Sequence, residues 1–285
     1  MIQDPESRSA LSDTSAAAAD GSAPGLVKAA LVGLTAGFLS GLFGVGGGIL
    51  LVPALVIVLK LGQKRAHGTS LAAVLPIAMS SLFGYAIEDK VDWPVAGLLA
   101  LGAVGGAVLG THILHRIPQR AVGWAFAFVL IATAVRLVID NSDAGGRAEL
   151  SILSAITLVV AGFLTGILAG LLGVGGGVVM VPAMVVGFGI PAAVAKGTSL
   201  AVIIPTSIMG TVRNRTNRNV DLRLAAVVGV AGVVSAYGAS KISVGLDETT
   251  SNRLFAGLLT AVALRMIWQF LRTSERAVIT EPVLD

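Results

Sequence analysis

Apolar residues gather in ten segments along the chain, at roughly 26–44, 46–59, 68–86, 94–111, 121–139, 150–172, 174–189, 197–212, 224–240 and 254–271. Short polar or glycine-rich breaks separate them. Several are shorter than the ~20 residues a helix needs to cross a bilayer. The pattern predicts an all-α integral membrane protein with many segments, some of them incomplete or broken. Residues 1–25 lack such a run and are rich in Ser, Ala and Asp. Asp4, Glu6, Asp13 and Asp20 stand where a signal peptide would open positively, so this stretch reads as a disordered tail.

The segments repeat. Gly37–Pro53 reads GFLSGLFGVGGGILLVP and Gly166–Pro182 reads GILAGLLGVGGGVVMVP, identical at 11 of 17 positions at an offset of 129. The same offset lays Gly68-Thr69-Ser70-Leu71-Ala72 on Gly197-Thr198-Ser199-Leu200-Ala201, Pro76 on Pro205, Val91-Asp92 on Val220-Asp221, and Arg136 on Arg265. A register held without gaps over about a hundred residues marks a duplicated unit of about five segments. An odd number of segments forces the second copy to insert upside down. The expected organisation is a tail at 1–25, a membrane repeat at 26–140, an extracytoplasmic linker at 141–149, an inverted repeat at 150–272 and a cytoplasmic tail at 273–285.

Charge supports that topology. With cytoplasmic termini, the inner loops 60–67, 112–120 and 213–223, together with the terminal segments, hold 14 of the 20 Lys and Arg. The outer loops 87–93 and 140–149 hold six acidic residues against Lys90 and Arg147. This is the positive-inside bias in both halves. It also explains a sequence pI near 9.8 without nucleic acid. Hydrophobic residues are 55% and charged residues 13% of the chain, against about 25% charged in soluble domains. Zero cysteines exclude disulfides, iron–sulfur clusters and thiol chemistry. Three histidines (His67, His112, His115) are too few and too scattered for a metal site. Neither a P-loop nor a dinucleotide fingerprint is present, and no nucleophile–base pair suggests an enzyme.

The candidate chemistry lies in the duplicated motifs. Gly46, Gly47 and Gly48, and Gly175, Gly176 and Gly177, interrupt apolar segments that continue to Pro53 and Pro182. Each glycine weakens a helix by about 1 kcal/mol relative to Ala and exposes backbone N–H groups to a ligand. Tight helix packing would also use small residues. The matched breaks with following prolines favour a cavity, because irregular backbone at membrane depth must line one or pack in protein. His67-Gly68-Thr69-Ser70 and Lys196-Gly197-Thr198-Ser199 each open an apolar segment. Thr and Ser there are either helix caps or anion ligands. Lys196 is an isolated positive charge on the side that otherwise lacks them, and His67 is its mirror position. If the short second segments re-enter, the four motifs converge at the midplane; if they span, the first glycine turn lies near Thr198. Re-entry is the expected arrangement. Arg136 and Arg265 fit snorkelling helix ends, and Asp92 and Asp221 fit turn or cap residues better than proton couplers.

The paired G-L-[FL]-G-V-G-G-G-x-x-x-V-P motifs, each followed by G-T-S-L, resemble the TauE/SafE (sulfite exporter TauE) family over residues 28–271. The tail does not match that pattern. The resemblance implies a multi-pass inner (plasma) membrane transporter of small sulfur-containing anions, such as sulfite, sulfoacetate or related organosulfonates. The expected action is secondary export by alternating access, with no cofactor or metal and with protons as the candidate coupling ion. A passive anion channel, or carriage of a different small anion, remains the alternative.

Overall fold

The computed structural model describes residues 23–113, 119–139, 151–172 and 176–278. Every regular element among them is helical. The helices are α1 (Ala23–Phe43), α2 (Gly48–Ile57), α3 (Gln63–Ala86), α4 (Trp93–Ile113), α5 (Gln119–Ile139), α6 (Ile152–Leu172), α7 (Gly177–Pro182), α8 (Ala192–Thr216), α9 (Leu222–Gly245) and α10 (Glu248–Val278); a π turn at Ala183–Gly187 continues α7. Gly175, His115, residues 1–22 of the expected tail and the expected linker lie outside the described residues. At the other end, α10 continues helically beyond residue 273, where a tail was expected.

Four helices are long and apolar enough to cross a membrane by length and composition, at Gly25–Phe43, Gln63–Ala86, Ala192–Thr216 and Leu222–Gly245. Large hydrophobics also stand open on the outside: Phe128 is 73% exposed, Val234 74% and Leu101 72%. A protein surrounded by water seldom leaves so much apolar surface uncovered, whereas lipid tails cover it without cost. The chain is a multi-pass membrane protein.

The two halves use the same parts at the offset seen in the sequence, α1 to α5 corresponding to α6 to α10. Left-handed backbone recurs in matched pairs: Gly47 with Gly176, Lys60 with Gly189, and Asp89 with Arg218. Contacts between the halves match as well. Gly33, Gly37 and Gly41 press α1 onto the carbonyls of Val228, Gly232 and Ala236 of α9, while Gly162 and Gly166 press α6 onto those of Leu99 and Ala103 of α4. A methyl group at any of these glycines would collide with backbone, so this small-residue spacing sets how closely the helices approach. Both pairs run parallel.

α3 and α8 cross in opposite directions. Gly68 lies on Asn214 and Asn219, near the start of one helix and past the end of the other, while Gly197 lies on Tyr85 and Lys90. Pro76 and Pro205 sit midway, each removing one helical hydrogen bond. Two buried apolar clusters flank this crossing. One joins α1, α2, α3 and α9 through Leu51, Leu55, Ile77 and Val228, and the other joins α4 to α8 and α10 through Leu99, Leu130, Met180 and Phe255.

Candidate functional site

After Phe43 the chain leaves helical geometry because Gly44, Gly46 and Gly47 adopt φ of +67°, +74° and +70°, conformations that L side chains rarely take. Gly44 turns against the backbone of Lys196. By Gly47 the chain lies on the carbonyl of Ala36, seven residues back along α1, so the strip has doubled back by about 10 Å. Its middle, Gly46, sits against Val74 of α3 and Ile203 of α8. α2 starts there, in mid-bundle, and runs on toward the start of α3. The second half repeats this at Gly177, which lies against Ile203 and the backbone of Val45. The two breaks therefore meet at the α3–α8 crossing. The first N–H groups of α2, at Gly48 and Ile49, have no partner inside the helix.

The expectation of re-entrant hairpins that gather all four motifs is corrected here. The first glycine-rich segment crosses as a non-helical strip plus a short helix, and in the second half Gly176 and Gly177 open the matching short helix at the same depth. The two G-T-S elements stay at opposite ends of α3 and α8. Sixteen residues of α3 separate Thr69 from Tyr85, which lies beside Gly197, and at 1.5 Å per residue that is about 24 Å. A rigid helix between them cannot bring Thr69 and Thr198 to one ligand. The first glycine turn lies near the second G-T-S element, as a spanning arrangement requires.

Each threonine hydroxyl accepts a hydrogen bond from the opposite half. Asp221 N donates to Thr69 Oγ1 at 3.0 Å, and Asp92 N donates to Thr198 Oγ1 at 2.9 Å. The two carboxylates act as helix caps, Asp92 Oδ1 accepting from Val95 N at 3.2 Å and Asp221 Oδ1 from Leu224 N at 3.1 Å. The serines diverge. Ser199 Oγ reaches the carbonyls of Gly44 and, at 2.8 Å, Lys196. Ser70 Oγ is buried and has no hydrogen-bond partner.

Lys196 is the main electrostatic feature. It is 1% exposed, its Nζ donates to Ser251 Oγ at 2.7 Å, and it lies 5.3 Å from the centre of the Phe255 ring. That ring stacks on Phe43, the last residue before the glycine turn, at 5.9 Å. The buried ammonium is thus held between the first break and the opening turn of α10. Cations inside a bilayer are expensive and mark binding or transport sites. His67, its counterpart, is half-buried at the other end of the crossing.

Sequence reasoning missed Ser251, Phe255 and Phe43: Ser251 corresponds to Val122 and so carries no repeat signal, and the two phenylalanines read as ordinary apolar positions of their helices. It also missed a buried polar chain in which Tyr85 Oη donates to Gly41 O at 2.9 Å, bonds Ser243 Oγ at 2.9 Å, and is flanked by a Ser40–Ser81 contact at 3.3 Å. Arg136 has a definite partner, donating to the Val186 carbonyl in the π turn, which goes beyond simple snorkelling.

Comparison with known proteins agrees with this architecture. The family pattern described as sulfite exporter TauE/SafE matches residues 6–137 and 158–283, beginning inside the segment expected to lie outside it. Three relatives bear the name "Probable membrane transporter protein". YunE of Bacillus subtilis (strain 168) is 26% identical, covering 81% of this chain and 92% of its own length. YjnA of the same strain is 28% identical over 85% and 99%. MJ0441 of Methanocaldococcus jannaschii is 28% identical over 81% and 90%. No solved structure matches the chain.

Proposed function

The chain belongs to the sulfite exporter TauE/SafE family of membrane transporters, and from that premise we propose that it is a secondary transporter exporting small sulfur-containing anions by alternating access. Sulfite, sulfoacetate and related organosulfonates are the substrate class. The observation that carries the reading is Lys196: a buried ammonium beside a glycine-broken crossing and the hydroxyls of Ser199 and Ser251. Three tetrahedrally disposed oxygens suit several converging donors. Gly46, Gly47 and Gly48 of the first strip, and Gly176 and Gly177 of the second half, bring backbone to the same crossing, and Gly175, outside the described residues, completes the proposed set.

In this reading the anion enters between the strips, where Lys196 lends charge and Ser70, buried with an unused hydroxyl, gives a further donor toward the His67 end. Thr69, Thr198 and Ser199 frame the route. The five-segment halves, with α3 and α8 running in opposite directions, support an inverted repeat whose rocking exposes the site to each side in turn. Both termini are cytoplasmic, in the plasma membrane, with the basic loops inside. The work comes from the membrane potential, which favours anion efflux by about 2.3 kcal/mol per charge per 100 mV, or from coupled protons. No covalent chemistry, cofactor or metal takes part.

The test is flux of labelled sulfite and sulfoacetate in proteoliposomes holding the purified protein or its Lys196→Gln variant. Saturable flux that the variant loses supports the reading. Flux indifferent to Lys196, or carriage of carboxylates but no sulfur oxyanion, overturns it. Flux that rises linearly with concentration identifies a passive anion channel instead.

A further inference from the structure

Four features at each end of the α3–α8 crossing are built twice, and the packing of the two helices alone does not require that duplication. At one end Gly68 packs on the Asn219 carbonyl, Thr69 accepts from Asp221 N, Asp221 caps α9, and Arg218 turns the loop with φ +56°. At the other end Gly197 packs on the Lys90 carbonyl, Thr198 accepts from Asp92 N, Asp92 caps α4, and Asp89 turns the loop with φ +52°. At both ends the glycine packing and the threonine hydrogen bond cross from one half to the other.

We infer that these are the two gates of the transporter: reciprocal latches, each closed by one threonine and the Val-Asp loop of the opposite half. The inference rests on the alternating-access reading above and names the parts that alternate. Each latch is suited to repeated opening. Its glycine presents no side chain to interlock with the loop, and the threonine closes it through a single neutral hydrogen bond. Because the aspartate also caps the next helix, its loop and that helix's start must move together. Both latches are shut in the structure, with Ser70 and Ser199 fully buried just inside them. That is an occluded arrangement.

The ends differ in what reinforces them. Arg65 Nη2 lies 3.4 Å from Asp221 Oδ2 at the first, and its counterpart at the second is Val194, so that position offers Asp92 no matching ion pair. The second latch is the drier one, with Asp92 3% exposed. The Arg65 end should therefore open more readily at high salt.

The absence of cysteine makes the test clean. The pairs Thr69→Cys/Asp221→Cys and Thr198→Cys/Asp92→Cys are built in the full chain and cross-linked with dibromobimane, which sulfite does not cleave as it does a disulfide. Sulfoacetate is the probe anion in proteoliposomes. Flux should fall at least tenfold when either end is cross-linked. In parallel, Ser199→Cys is added to the 69/221 pair and Ser70→Cys to the 198/92 pair after protection of the cross-linked cysteines. Fixing one end should then raise the maleimide reactivity of the reporter at the other end several-fold. Efficient cross-linking that leaves both flux and reporter reactivity unchanged overturns the gates. Absence of sulfoacetate flux in the uncross-linked protein counts against the substrate reading alone, and the reporter cysteines then decide the gates.

Discussion

The two ends of the α3–α8 crossing share a backbone plan and differ in chemistry. At one end Lys196 is buried against Ser251 and the Phe43–Phe255 stack, and Ser199 is bonded to the first glycine turn. At the other, His67 replaces the lysine and Ser70 is buried with its hydroxyl unused. Duplication accounts for what the ends share: caps, latches and left-handed turns. Where the copies have diverged, the shared backbone plan does not dictate the residue, and the proposed function assigns the His67–Lys196 difference to binding. On the proposed reading Lys196 therefore carries more functional weight than the threonines, although the threonines are the better-matched pair.

Breaking the asymmetry directly should give the largest effect. Lys196→Met should cut anion flux by roughly 10- to 100-fold, the worth of about 1.5–3 kcal/mol for a charge-assisted hydrogen bond, while His67→Leu costs only a few-fold. Initial rates in proteoliposomes, with folded yield checked by gel filtration, measure both. Equal losses would erase the distinction between the ends.

The latches should respond next, and unequally. Thr198→Val leaves the Asp92 N–H buried without a partner and should destabilise the protein by about 1–3 kcal/mol; Thr69→Val, in the wetter latch, belongs at the lower end of that range. Thermal unfolding in detergent reads the order. A smaller effect concerns salt: Arg65→Gln should change stability by less than about 1 kcal/mol and remove the salt sensitivity of that end only, since the pair is half-exposed.

The smallest effect lies at the rim of the drier end. Lys241 bonds Glu88 at 2.7 Å and holds its carboxyl below the usual glutamate range, with Lys90 adding a minor pull. Because the folded value is the lower one, the contact's contribution is complete at neutral pH. It fades only as pH falls below the ordinary carboxylate range. Glu88→Gln should thus shift unfolding slightly near neutrality and not at all in strong acid, as melting curves across pH would show.

Much of this was legible in the sequence because duplication doubles every signal. The segment boundaries, the glycine breaks, the matched G-T-S elements and the capping role of Asp92 and Asp221 all recur at one offset, so chance could be discounted. The path of the glycine strips was not legible. Short apolar segments fit a re-entrant hairpin and a broken crossing equally well, and only the packing of Gly47 on Ala36 and Gly46 on Val74 and Ile203 distinguishes them. The glycines at 33, 37, 41, 162 and 166 were visible as small residues, but the helix each would meet depends on the order of packing in space. Ser251 and Phe255 were hidden for a different reason. They lie far from Lys196 in sequence, and the Ser251 position is not duplicated.

The central claim is alternating access by an anion at the Lys196 site, and counterflow tests it most directly. Proteoliposomes loaded with unlabelled sulfoacetate, and an otherwise identical empty set, are diluted into a trace of labelled sulfoacetate. The account predicts faster and transiently concentrative uptake into the loaded vesicles, abolished by Lys196→Gln. Uptake equally fast in empty vesicles, rising linearly with concentration and indifferent to the variant, would contradict it.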